Sequence, residues 1–179
     1  MARLPTVGGS DGIWANLLTE FIELEHTSDG THGITLVGAR MSLAGAKLNL
    51  TDGAETLVVF DTDEYDYNNL TDIATGKITT DKAGMYMVNG QITFDNAVNN
   101  VQLRVDVKKT GNIVCTNLFH VYAVSSYDTF TLPFSILQQS TGSDYFQVYV
   151  TVTGNSTVDL VSSSAATYLE VYRVGVLLA

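Results

Sequence analysis

Apolar residues alternate strictly with polar residues in several stretches of this 179-residue chain. Strict alternation predicts a strand with one buried face. The clearest apolar positions are Val101, Leu103, Val105, Val107, Phe130, Leu132, Phe134, Ile136, Phe146, Val148, Val150 and Val152. Pro133 falls on the polar side of its stretch, which predicts an edge strand or a bulge because proline cannot donate to a ladder.

Further strands are predicted by the same pattern, with breaks rich in Gly, Asn, Asp and Ser between them. These strands lie near residues 39–44, 55–60, 76–80, 84–94, 113–123, 156–161 and 167–174. About ten short strands at this spacing predict an all-β fold, a sandwich or jelly roll, over residues 34–179.

Residues 1–33 follow a different pattern, which predicts an extended arm, one short amphipathic helix and a turn. Leu4, Pro5, Gly8 and Gly9 belong to the arm, because proline and the glycine pair exclude a regular element there. Ser10 or Asp11 can cap a helix that runs to about residue 25. Its seam positions at coiled-coil spacing are Trp14, Leu17, Phe21 and Leu24. Two heptads are too few to be stable alone, so this helix needs its own domain, symmetry copies or a partner to pack against.

The segment HTSDGTHG, residues 26–33, marks the point where helical periodicity stops and strand periodicity begins. Asp29 and Gly30 suit a turn, because Asp caps through its side chain and Gly accepts a positive φ, and they are the predicted hinge. His26 and His32 could instead share a metal ion, within one chain or around a threefold axis. Their spacing matches no standard ligand pattern, so the turn is the preferred interpretation and no metal or cofactor is expected.

Composition and charge exclude several classes of function. The net charge of −10 argues against nucleic-acid binding, since no cluster of Lys and Arg is present to contact phosphates. A single cysteine, Cys115, excludes an intrachain disulfide. No secretory signal and no apolar stretch of membrane-spanning length occurs, so assembly in a cytoplasm is expected. No nucleophile elbow, P-loop or dinucleotide fingerprint is found, so the chain is not expected to be an enzyme.

The stretch 61–72 is the most acidic part of the chain and carries Tyr65 and Tyr67. It lacks the glycine that an EF-hand loop needs, so we expect a solvated loop rather than a calcium site. Exposed tyrosines among polar residues suit a contact surface for a glycan or a protein. The apolar end of the chain, residues 176–178, is expected to be buried in a sheet or, preferably, against another subunit.

The first 34 residues resemble the N-terminal segment of tail-fibre and related virion proteins of tailed phages. The shared features are a Leu-Pro-x-x-Gly-Gly arm, a Trp-containing helix that ends near His26, and Asp-Gly-Thr-His at residues 29–32. This resemblance implies that residues 1–33 dock the protein to a virion.

Residues 39–175 are similar to the C1q/TNF-like jelly-roll domain. Gly76, Ile78, Gly84, Tyr86 and Phe94 match its central pattern, and TYLEVYRVG resembles its closing strand. The resemblance implies a homotrimer with an aromatic and aliphatic seam along the threefold axis.

Taken together, these features predict a non-enzymatic structural protein of a phage virion, a homotrimeric jelly roll displayed outward as a short tail fibre or receptor-binding tip. Two alternatives remain, a capsid decoration protein or head fibre, and a glycan-binding adhesion module. The expected partners are other copies of the chain, other virion proteins reached through the N-terminus, and a host-surface glycan or protein. The expected location is the virion.

Overall fold

The computed structural model describes residues 37–45, 50–98, 100–122, 128–154 and 157–175, all within the unit Leu36–Ala179. Every regular element in these ranges is a β-strand, in agreement with the predicted all-β class. The predicted arm, helix and hinge of residues 1–33, with His26 and His32, lie outside the described residues. The apolar end at residues 176–178 also lies outside them.

Sheet A forms one layer of a two-layer sandwich. Its strands are β1 (Gly38–Ser42), β3 (Thr62–Asp66), β6 (Ala83–Ala97), β9 (Asp128–Thr141), β11 (Asp159–Leu160) and β12 (Tyr168–Gly175). The order across the sheet is β3, β1, β12, β6, β9, and all pairings are antiparallel. The short β11 pairs with the end of β6 on the same side as β12. Sheet A therefore has β3 at one edge and β9 at the other.

Sheet B forms the second layer. Its strands are β2 (Glu55–Leu57), β4 (Thr71–Asp72), β5 (Lys77–Thr79), β7 (Val101–Lys109), β8 (Asn112–Val121) and β10 (Tyr145–Thr153). The order is β4, β5, β10, β7, β8, and β2 pairs with β10 beyond β5. The chain crosses between the sheets after most strands, which is the jelly-roll arrangement. The edge strand β8 of sheet B lies beside the edge strand β9 of sheet A.

The core is the layer of apolar side chains between the two sheets. Every apolar position of the alternating stretches in β7 and β10 is buried, as predicted. In β9, Leu132 and Phe134 are buried, whereas Phe130 and Ile136 are partly buried and pack against the core. Pro133 is exposed on β9, so its predicted place in an edge strand is confirmed.

The acidic stretch 61–72 is not simply a solvated loop, and this expectation was wrong. It contains β3, which pairs with β1, and β4, which pairs with β5. The turn between them is held by Asp66, whose carboxylate accepts hydrogen bonds from the amides of Asn68, Leu70 and Thr71. Charges and a bulge on an edge strand discourage pairing with other chains, which gives these carboxylates a structural reason to lie on β3.

The turn between β7 and β8 is tight and has two consecutive residues with positive φ, Thr110 at 47° and Gly111 at 84°. Such a turn matches the twist of a two-residue hairpin. Positive φ is unfavourable for a β-branched residue, so Thr110 needs support from its surroundings. The amide of Thr110 donates to the Tyr145 carbonyl, and its hydroxyl donates to an Asp144 oxygen at 3.0 Å.

Asp144 joins the two sheets at the end of the sandwich where this turn lies. One carboxylate oxygen accepts from the Thr141 amide and the Ser140 hydroxyl, both at the end of β9 in sheet A. The other accepts from Thr110 in sheet B, and the Lys109 ammonium lies 3.3 Å from the carboxylate. Burial alone raises the pKa of Asp144, but these hydrogen bonds outweigh it and hold the pKa well below its usual range.

Candidate functional site

The outer face of sheet A is the first candidate site. The register places Tyr65, Arg40, Glu170, Asn89 and Ser135 in one row across five strands. The neighbouring row on the same face lies nearer the start of β1. It consists of Gly38, Tyr172, Met87 and Leu137. Tyrosine, methionine and arginine are enriched at protein interfaces, and charged residues are depleted from interface cores. This face therefore has the composition of an interface.

Most of the charged atoms in this row have local partners, but the buried Nε of Arg40 has none. The Tyr65 hydroxyl donates to a Glu170 carboxylate oxygen at 2.6 Å. Burial and this hydrogen bond raise the pKa of Tyr65 far above its usual range. The Arg40 guanidinium lies 3.9 Å from the centre of the Tyr168 ring and donates to the Ser164 carbonyl. Because Tyr65 and Glu170 are already partners of each other, covering them with another surface would leave neither of them unpaired.

A groove of about 440 Å³ opens on this face, near the end where the described chain begins. Its walls are Val37, Gly38, Tyr65, Tyr67, Glu170, Tyr172 and Arg173. The rings of Tyr65 and Tyr67 are in contact, with centroids 5.2 Å apart, and Tyr67 is 59% exposed. The predicted contact residues Tyr65 and Tyr67 thus lie together, on and just after an edge strand.

The outer face of sheet B differs from that of sheet A. It carries ion pairs between Lys108 and Glu55 at 2.7 Å and between Arg104 and Asp106 at 2.8 Å. Lys108 and Lys77 also lie over the rings of Tyr149 and Tyr145. The exposed large apolar side chains of this face lie on its edge strand β8, so we assign no binding role to the rest of the face.

The edge formed by β8 and β9 is the second candidate site. Exposed large apolar side chains concentrate here: Ile113, Leu118, Phe119, Tyr122 and Leu137. Phe119 contacts Phe130 across the gap between the sheets, with centroids 5.3 Å apart. Asn117 also bridges the gap by donating to the Pro133 carbonyl. A long apolar edge strand is a template for association unless another chain covers it.

The acidic segment 61–72 and the polar segment 95–100 do not form one site. The Tyr67 amide donates to the Gly38 carbonyl. Across the sheet, Gly38 pairs with Tyr172, and Tyr172 pairs with Met87 of β6. Asn96 lies nine residues further along β6, or about 30 Å at ~3.3 Å per residue. The segments therefore lie towards opposite ends of the sandwich.

The other residue types that could carry chemistry, potential metal ligands, the cysteine and the described histidine, form no further candidate site among the described residues. No group of three or more His, Cys, Asp or Glu that could hold a metal ion occurs among the described residues. Cys115 is partly buried, and its pKa is raised by this burial and by the nearby Asp106. His120 is exposed on β8. In the described part of the chain no helix could span a membrane.

Sequence reasoning missed Arg40, Glu170 and Tyr172 on sheet A, and it missed Leu118 and Leu137 on the β8–β9 edge. A signal for the second set exists in the sequence. Leu118 and Leu137 are apolar residues at positions where the alternation calls for polar ones. The first set could not be found in this way, because the face exists only once five strands are aligned.

No protein-family model matches the chain, and no curated protein matches it. Among solved structures, the chain is similar to Eiger TNF from S. frugiperda, with a TM-score of 0.62 and 11% sequence identity. The match covers 81% of this chain and 96% of that chain. At this identity the likeness shows the fold, and it confirms the TNF-like jelly roll implied by residues 39–175.

Proposed function

We propose that the protein is a non-enzymatic structural protein of a phage virion. It is a homotrimeric jelly roll that residues 1–33 dock to the particle, and it is displayed outward as a short tail fibre or receptor-binding tip. The resemblance of residues 1–34 to phage virion proteins supports the virion role. The trimer is supported by the two unlike interface surfaces of the head, the outer face of sheet A and the β8–β9 edge.

The outer face of sheet A and the β8–β9 edge are complementary in kind. The face of sheet A is broad and rich in tyrosine, and the β8–β9 edge is a narrow apolar ridge. A surface that pairs with a different surface of the next copy makes a head-to-tail contact, and such contacts close into a ring when the rotation allows. In this arrangement the ridge of each copy covers the sheet A face of its neighbour. Three contacts then bury all of the exposed apolar ridges.

Leu137 is the residue best placed to test the trimer. It lies on the outer face of β9, where the two surfaces meet, and it is 50% exposed. Leu137→Asp places a charge in the contact without disturbing the core, so we expect a folded monomer. Ile73→Asp is the matched control, because Ile73 is 40% exposed in the turn after β4 and lies on neither surface.

Size-exclusion chromatography with light scattering measures the outcome directly. The native chain and Ile73→Asp are expected to elute as trimers, and Leu137→Asp as a monomer with an unchanged circular dichroism spectrum. A native chain that is monomeric at micromolar concentration would refute the trimer.

The docking role of residues 1–33 is tested by deleting them. We expect the head to fold and associate but no longer to join the particle. Incorporation of the shortened chain into virions would show that the anchor lies elsewhere. Electron microscopy with an antibody against the head separates a tail position from the capsid positions expected of a decoration protein or head fibre.

Glycan binding is a second candidate, favoured by the exposed Tyr67 ring beside Tyr65. Sugars stack on exposed aromatic rings, and the groove at these residues falls within the usual size range of ligand sites. Saturable binding of the protein to host cells, lowered by Tyr67→Ser and unchanged by Tyr149→Ser on the outer face of sheet B, would support it. A decoration protein should show no saturable binding to host cells.

A further inference from the structure

We infer that the groove beside Tyr67 binds an uncharged hexose unit of a glycan, with the sugar ring between Tyr67 and Tyr172 and its hydroxyls donating to the Glu170 carboxylate. This inference rests on the proposed glycan binding, and it adds the class of sugar and the residue that selects it. It arises from a gap in the row of side chains on the outer face of sheet A.

The groove exists because Gly38 has no side chain. Gly38 takes an outward-facing position of β1, since its neighbour Ala39 is fully buried. It pairs with Tyr172 of β12, and its carbonyl accepts a hydrogen bond from the Tyr67 amide on the other side. A Cβ at Gly38 would lie 2.8 Å from the Tyr172 Cβ, closer than two such atoms come, so the register keeps this position empty. An open slot therefore runs over β1 between two tyrosines.

The two walls of the slot are spaced for one ring. Tyr67 directly follows β3 and Tyr172 lies on β12, so two strand spacings of ~4.8 Å, or about 10 Å, separate the segments that carry them. A ring in van der Waals contact with both walls needs about 3.5–4.0 Å on each side, which this spacing provides. Tyr67 is 59% exposed, and the Tyr65 ring supports it with centroids 5.2 Å apart. A sugar ring can therefore pack its C–H groups against aromatic faces in this slot.

The polar atoms of the groove favour a ligand that carries hydroxyls and no negative charge. The Glu170 carboxylate lies in the wall, and the Tyr65 hydroxyl occupies one of its about four acceptor sites. Sugar hydroxyls can donate to the remaining sites, whereas a carboxylate or phosphate of a ligand would be repelled. Arg173, also in the wall, donates through Nη2 to the Ala83 carbonyl at the start of β6, which directs its guanidinium to the backbone there. The net charge of −10 adds to the repulsion of anionic sugars.

The groove lies beside the proposed contact between copies. Gly38 and Leu137 belong to the same row and are three strands apart, or about 14 Å at ~4.8 Å per strand. A contact centred on Leu137 leaves the β3 side of sheet A open to a ligand. The associated full chain is therefore the protein to test.

The test compares binding of the full chain to immobilised hexoses and to their uronic acids, which differ from the hexoses only by a carboxylate in place of the terminal CH2OH group. Four proteins are compared: the native chain, Tyr67→Ser, Glu170→Gln, and the control Tyr149→Ser on the outer face of sheet B. Glu170→Gln keeps the shape of the side chain and one acceptor oxygen but removes the charge. Circular dichroism and light scattering establish that each variant is folded and associated like the native chain.

We expect the native chain to bind a neutral hexose and to bind the matching uronic acid at least about tenfold more weakly. Glu170→Gln should weaken binding of the neutral hexose about tenfold, the effect of one charge-assisted hydrogen bond, and should bring the two sugars of a pair to similar affinity. Tyr67→Ser should lower the affinity for the hexose by at least as much, because one wall of the slot is lost. Tyr149→Ser should change neither affinity.

Equal or tighter binding of the uronic acids by the native chain would overturn the inference and leave glycan binding intact. Neutral binding that is unchanged in Tyr67→Ser or in Glu170→Gln would place the sugar elsewhere and overturn it as well. Absence of binding to any of these sugars would overturn the glycan-binding proposal and this inference together, so the two failures are distinguishable.

Discussion

Replacing Asp144 by asparagine tests whether one carboxylate holds the two sheets together at the end of the sandwich. Its oxygens accept hydrogen bonds from Ser140, Thr141 and Thr110, at 3.0 Å each for the Ser140 hydroxyl, the Thr141 amide and the Thr110 hydroxyl. The side chain is only 16% exposed, so water cannot replace these partners freely. Asparagine keeps one acceptor oxygen but loses the negative charge and the second acceptor.

The expected loss follows from those bonds. Hydrogen bonds to a charged group contribute about 1.5–3 kcal/mol each, and bonds that share one carboxylate are not additive. The turn residue Thr110 also loses a partner that supports its positive φ. We therefore expect Asp144→Asn to lower the free energy of unfolding by about 2–3 kcal/mol. For a chain of this length that corresponds to a fall of roughly 5–10 °C in melting temperature.

The pH dependence supplies a second, independent readout. The pKa of Asp144 in the folded protein lies below its ordinary value of about 3.9. Its stabilisation is therefore fully present above about pH 4 and is lost as the pH falls through the folded pKa. The difference in free energy of unfolding between the native chain and Asp144→Asn should be largest at neutral pH and should become smaller in strong acid.

Urea unfolding at one fixed protein concentration is the assay, because association of subunits also contributes to apparent stability. Asp72→Asn is the matched control, since that exposed carboxylate accepts hydrogen bonds from Thr75 and the Ala74 amide within its own turn. A loss below about 0.5 kcal/mol at neutral pH, the range of an ordinary surface substitution, would refute the reasoning, as would a gap that does not change with pH.

Three further substitutions test the packing, the β7–β8 turn and the acidic turn. Gly90→Ala should destabilise by about 3 kcal/mol or more, because its methyl group would collide with the Phe134 ring and the Tyr168 carbonyl. Gly111→Ala, at φ 84° with open space around it, should cost only about 1 kcal/mol; equal losses in urea unfolding would contradict this account. Asp66→Ala should expose the 67–71 turn to proteolysis, because the amides of Asn68, Leu70 and Thr71 lose their acceptor. Limited proteolysis with mapping of the first cut checks this, and a first cut elsewhere would contradict it.

The strands of this protein could be predicted from the alternation of apolar and polar residues where one face of the strand is buried and the other faces solvent. The apolar positions of β7 and β10 are all buried, because the side-chain period of a strand is two. On the polar side, Asp106 and Gln147 are buried as well, which the alternation does not predict. The same logic placed Pro133 at an edge, since a missing amide hydrogen is tolerated only there. The Gly- and Asn-containing break at residues 109–112 forms a tight turn with Gly111 at positive φ.

The pattern failed in the acidic stretch for a physical reason. The residues of β3 are all half-buried or exposed, so its sequence has no alternation of apolar and polar residues that would predict a strand. Its strand geometry comes from pairing with β1, which lies more than twenty residues earlier in the chain. A segment that is ordered by a distant partner carries little local signal of that order.

The candidate surfaces also combine features that the sequence predicts with features that only the folded sheet creates. Tyr65 and Tyr67 were recognisable as contact residues by type, and the apolar residues of β8 break the expected alternation. Tyr65, Arg40 and Glu170 lie together only because three strands from distant parts of the chain align in one register. Burial patterns are local and can be read along the chain, whereas a surface is assembled from long-range pairings and exists only in the folded sheet.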